Sequence, residues 1–135
     1  MKCFLDSSVL VESCLSASPK YGAADALVNG GHATTSAHAL AEAYATLSGD
    51  ARLRISPADA AAMVEDLAER LDVQPMCVAE YRKMIGSAPA KGVRGGGIYD
   101  ALHAQTARLC HCTEIYTLNV RHFRHVAPDM VILGL

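Results

Sequence analysis

Short apolar runs that alternate with helix signals constrain this chain more than any other feature. Lys2-Cys3-Phe4-Leu5, Glu114-Ile115-Tyr116-Thr117-Leu118 and Val131-Ile132-Leu133 are too short for helices and read as strands, with His32 to Thr35 as a weaker one. The first run is stopped by Asp6-Ser7-Ser8 and feeds directly into a helix carrying Val9, Leu10, Val11 and Leu15. Ser18-Pro19 opens a second helix, with Ser as cap and Pro in the first turn, and Asn29-Gly30-Gly31 closes it. Ser36 caps a third that runs to Leu47. The clearest helix covers 57–71: Ser56 caps it, Pro57 starts it, and Ala60, Met63, Val64, Leu67, Ala68 and Leu71 form an i, i+3, i+4 stripe. Cys77 to Ile85 and Ile98 to Cys110 are also helical, separated by a loop ending in Gly95-Gly96-Gly97, while Val73-Gln74 is too short to assign. Strands alternating with helices imply an α/β domain around a parallel sheet of about four or five strands.

A chain of 135 residues and 14.3 kDa makes one domain, residues 1–135, able to bury roughly two-thirds of its unfolded surface. With 51% apolar and 19% charged residues, disordered and fibrous classes are excluded. No apolar stretch approaches the ~18 to 20 residues of a membrane span, and Asp6 stands where a signal peptide would be apolar, so the reading is cytosolic. Five scattered cysteines give no disulfide framework. Cys110-His111-Cys112 lacks a second donor pair at zinc spacing.

The net charge of −2 hides an asymmetry. Residues 1–80 carry 5 Lys/Arg against 11 Asp/Glu, whereas 81–99 carry Arg82, Lys83, Lys91 and Arg94 with no acid. That basic segment is a solvated loop or, beside an acidic metal site, a phosphate contact.

Ligands of parallel α/β sheets bind beyond the carboxyl ends of the strands, where strand order reverses. Asp6 and Asn119, 113 positions apart, each follow an apolar strand and should emerge at the same rim. Either one alone reads equally as a helix cap or a turn residue. Glu42 has His38, Ala39, Ala45 and Thr46 as helical neighbours, which leaves room around its carboxylate. Asp100 lies near the start of its helix, with His103, Ala104 and Ala107 on the same face, and alone could serve the helix N-terminus.

Taken together, Phe4-Leu5-Asp6-Ser7-Ser8-Val9-Leu10-Val11, Ala41-Glu42, Tyr99-Asp100-Ala101-Leu102-His103-Ala104 and Thr117-Leu118-Asn119-Val120-Arg121-His122-Phe123 closely resemble the PIN-domain ribonucleases. Among these the chain is most similar to the VapC-like toxins of bacterial toxin–antitoxin pairs, over essentially its whole length. The resemblance implies a three-layer PIN-like fold with a central, mainly parallel sheet of about five strands flanked by helices. It implies that Asp6, Glu42 and Asp100 converge on Mg²⁺ or Mn²⁺, with Asn119 at a fourth position that is Asp in many members. Asn119 lowers the possible charge of that cluster from −4 to −3. Carboxylates crowded together repel unless a hard divalent cation neutralises them, which suits such an assignment. Implied partners are RNA (tRNA, rRNA or mRNA), a protein antitoxin and a second copy in a homodimer.

Supporting roles fall to Ser7 or Ser8 and Thr117, whose hydroxyls can hold Asp6, a ligand water or Asn119. Lys91, Arg94, Arg121 and Arg124 are candidate RNA phosphate contacts. The histidines, including His38, His103 and His122, stand outside the catalytic set because metal-assisted hydrolysis needs no imidazole. Two other classes remain open: a catalytically silent PIN fold acting as a binding module, and a phosphoacceptor receiver-like domain. The receiver lacks its second acid near the first strand and its late Lys.

Overall fold

The computed structural model describes residues 2–135. The elements run β1 (Cys3–Leu5), α1 (Ser7–Glu12), α2 (Tyr21–Asn29), β2 (Ala33–Ser36), α3 (Ala37–Gly49), α4 (Pro57–Arg70), β3 (Asp72–Gln74), α5 (Val78–Ser87), α6 (Gly97–Leu109), β4 (Glu114–Tyr116), α7 (Val120–Val126) and β5 (Val131–Leu133). Two short 3-10 turns, Ala51–Leu53 and Pro89–Lys91, complete the connections. All strand pairs are parallel, in the order β3-β2-β1-β4-β5. The chain builds outward from β1 to β3, then crosses back to lay β4 against the other side of β1. The point of reversal is therefore the gap between β1 and β4, where such sheets bind ligands.

Alternation along β1 divides the core. Leu5 faces a layer made by Val9, Leu10, Ala39, Ala43, Leu47, Ala60 and Leu67 from α1, α3 and α4. Phe4 faces the opposite layer, with Ala104, Ala107, Ile115, Phe123 and Ile132. Met84 with Ala101 and Leu102 forms a third cluster where α5 meets α6. Residues Ala101 through Ala107 of α6 are all buried, so the middle of this helix is enclosed on every side and Asp100 sits at the edge of that enclosure. No helix among the described residues is long and apolar enough to cross a membrane.

Two local readings change and one element is added. Ser18 does not cap α2: its hydroxyl is held by Glu12, and the helix starts at Tyr21, beyond Pro19, without a side-chain cap. Val73-Gln74 belongs to an edge strand, made possible by pairing with β2. The segment after Asn119 forms the helix α7, whose single buried anchor is Phe123.

Candidate active site

Asp6 ends β1 and caps α1. Its Oδ1 accepts the backbone N–H groups of Ser8 at 3.0 Å and Val9 at 3.3 Å, as an N-terminal cap does, and also the Ser8 hydroxyl at 2.5 Å. Its Oδ2 accepts the hydroxyl of Thr117 at 2.7 Å, just past the end of β4. Asp6 is only 4% exposed, and burial pushes its carboxyl above the ordinary aspartate range, against the pull of the Ser8, Thr117 and Val9 hydrogen bonds and of nearby His103. The hydroxyl that supports Asp6 from α1 is Ser8, not Ser7. Ser8 also receives the Leu118 N–H at 2.9 Å, and Ser7 lines a shallow cleft beside it with Val11, Glu12 and Thr46.

From Thr117 the network continues to the second aspartate. Thr117 Oγ1 accepts the Asn119 N–H at 2.9 Å, and Asn119 Nδ2 donates to Asp100 Oδ2 at 3.4 Å. The same Asp100 oxygen meets His122 Nδ1 at 2.5 Å. Gly97 makes room for that ring: a Cβ there would stand 3.2 Å from His122 Cε1 and Nε2. Asn119 itself is exposed.

Glu42, on α3, faces His103 Nε2. His103 is 1% exposed, and its Nδ1 meets Ser36 Oγ at 2.9 Å. Ser36 Oγ already accepts the Ala39 N–H at 2.9 Å as the cap of α3, so its proton is available to Nδ1, leaving Nε2–H to donate to Glu42. His38 Nε2 lies 3.7 Å from the same Glu42 oxygen, beyond hydrogen-bond reach. Lys91, Arg94, Arg121 and Arg124 are exposed, and among the described residues none of them joins an ion pair, in contrast to Arg108, which holds Asp129.

The donor set of three carboxylates and an amide suits a hard divalent cation, and nearby positive charge favours the ionised form of a carboxyl whose burial disfavours it. The convergence implied by the sequence is not closed, however. Each acid is turned onto a protein partner, and among the described residues no group of three His, Cys, Asp or Glu side chains is arranged to hold a metal ion. A cation would have to gather the acids through the oxygens that these contacts leave free, Glu42 Oε2 and Asp100 Oδ1. These two histidines are the site residues that sequence reasoning passed over. For His103 the only sequence signal was helical proximity to Asp100, when its partner is Glu42, and His122 was marked only by its place after Asn119.

The PIN domain family model matches residues 3–128. No curated protein matches the sequence. Among solved structures, VapC20 of Mycobacterium tuberculosis, a sarcin-ricin loop cleaving toxin, superimposes with a TM-score of 0.71 at 17% identity, covering 90% of this chain and 92% of its own. VapBC2 of Rickettsia felis, bound to a DNA fragment from its promoter, gives 0.70 at 17% identity, covering 100% and 99%. PAE2754 from Pyrobaculum aerophilum gives 0.66 at 18% identity, covering 98% and 83%. At such identities these likenesses concern the fold. The family model spans nearly all of the strands and helices just described, and on that match the chain belongs to the PIN domain family.

Proposed function

We propose that this protein is a metal-dependent endoribonuclease, the toxin of a toxin–antitoxin pair. The observation that carries the reading is the hydrogen-bonded run Asp6–Thr117–Asn119–Asp100 across the reversal point of the sheet. It joins two carboxylates to one polar rim, with Glu42 held nearby through His103. The toxin names of the similar folds point the same way.

In this reading Asp6, Glu42 and Asp100 hold Mg²⁺ or Mn²⁺, and Asn119 contributes a neutral amide. The ion, when bound, supplies a water that loses its proton more readily and offsets charge on the phosphate and the leaving oxygen. Ser8 and Thr117 fix the direction of Asp6, and His103 fixes that of Glu42. Lys91, Arg94, Arg121 and Arg124 are free to hold RNA phosphates. The substrate is tRNA, rRNA or mRNA in single-stranded or loop form, where bases are accessible. Its partners are a protein antitoxin and a second copy of the chain, and it works in the cytoplasm.

The test is incubation of the purified protein with structured RNA and Mg²⁺ or Mn²⁺, against a chelator control. Fragments with 5′-phosphate and 3′-hydroxyl ends are expected, lost in Asp6→Asn and Asp100→Asn without loss of fold. A second reading, a silent binding module, is favoured by the way His103 and His122 already occupy Glu42 and Asp100. RNA binding with no cleavage under either metal would establish it instead.

A further inference from the structure

Four rings form a column from the core to the surface beside Glu42. Phe4 of the central strand lies 5.8 Å from His103 between ring centroids, His103 lies 5.7 Å from His38, and His38 lies 4.8 Å from Tyr99, with 32° between the last two ring planes. Phe4 and His103 are buried, whereas the outermost ring, Tyr99, is 44% exposed. Of the two exposed tyrosines, Tyr44 and Tyr99, Tyr99 directly precedes Asp100 in sequence. A second feature lies at the same place. His38 Nε2 is buried without a hydrogen-bond partner, although it points toward Glu42. Buried polar atoms are normally paired, so the ring behind Tyr99 is held by packing and not by a hydrogen bond at this nitrogen.

We propose that Tyr99, backed by His38, is a stacking platform for the RNA base next to the phosphate held at the acidic rim. Every nucleobase has a π-face, so such a platform takes an unpaired base of any identity and excludes one still stacked within a duplex. The column behind Tyr99 fixes its ring before RNA arrives, so little ordering remains to be done on binding. The position of the phosphate rests on the ribonuclease reading; the stacking does not.

Ultraviolet crosslinking of the full-length Asp100→Asn protein to total tRNA and rRNA, read by mass spectrometry, locates the contact. A nucleotide adduct on the peptide containing Tyr99 is expected, and adducts confined to other peptides would overturn the proposal. In the otherwise unaltered protein, Tyr99→Leu keeps apolar bulk but removes the π-face. It should raise KM for RNA about 5- to 150-fold, the range of one base–aromatic stack, with the loss carried by KM and not kcat. Tyr99→Phe should rescue it. Cleavage with unchanged KM in Tyr99→Leu would overturn the platform and leave the nuclease standing. A Tyr99 adduct, together with no cleavage by the unaltered protein under Mg²⁺ or Mn²⁺, would do the reverse. If Tyr99→Leu instead weakens self-association in sedimentation while RNA binding is unchanged, the ring is a protein contact and the proposal falls.

Discussion

Thr117 gives its hydroxyl proton to Oδ2 of Asp6 at 2.7 Å, joining two strand ends that lie 111 residues apart. Thr117 Oγ1 in turn accepts the Asn119 N–H. Thr117→Val, equal in shape, would leave a buried carboxylate oxygen and a backbone N–H without partners. A loss of about 1 to 3 kcal/mol in urea unfolding is expected, with Thr117→Ser close to the original protein.

Asp6 itself should behave in the opposite sense in the metal-free protein. Burial raises its carboxyl above 3.8, so the folded state binds a proton more tightly than the unfolded chain. Stability therefore falls as pH rises from the ordinary aspartate range through the higher folded value. Asp6→Asn keeps an oxygen for Ser8 and Val9 and offers an amide N–H to Thr117 Oγ1. It should flatten that slope and raise Tm at neutral pH, with the difference shrinking in acid. A Tm series across pH in the presence of chelator checks this. Adding Mn²⁺ should stabilise the original protein by about 2.7 kcal/mol at a hundred times Kd, and the variant far less.

Gly97 controls the His122–Asp100 contact through space alone. A methyl group 3.2 Å from the imidazole forces the ring to yield by a few tenths of an ångström. Gly97→Ala should shift the His122 imidazole signals in NMR and loosen Asp100 while leaving the rest of the spectrum close to that of the original protein.

The exposed cations should act as phosphate contacts do. Replacing Arg94, Lys91, Arg121 or Arg124 with Gln should weaken RNA binding similarly for all sequences. Each true contact removed should reduce the slope of log K against log salt by about 0.7 for single-stranded RNA. Binding titrations at several salt concentrations would reveal which of the four do so.

Elements that speak through local chemistry were legible in the sequence. Ser56-Pro57 and the stripe through Leu67 specify α4, and the apolar Cys3–Leu5 specifies the central strand. The rim positions of Asp6 and Asn119 followed from strand ends alone. What the sequence concealed depends on distant partners. Three residues at Asp72–Gln74 become a strand only by pairing with β2. Val120–Val126 is polar but for a few residues and has no side-chain cap, so α7 exists because Phe123 finds a pocket under the sheet. Ser18 looked like a helix cap, but its oxygen accepts the Lys20 N–H ahead of the helix while its proton goes to Glu12. The pairing of His103 with Glu42 crosses 61 residues, and no helical spacing encodes it.

The strand order has a consequence for how the molecule comes into being. The middle of the sheet is synthesised well before its neighbour on one side, which arrives only with residues 114–116. Until then Asp6 has neither Thr117 nor Asn119 beside it, and Asp100 is without His122. Topology thus delays assembly of the rim until β4 and the start of α7 have left the ribosome, and a shorter nascent chain cannot yet make these contacts.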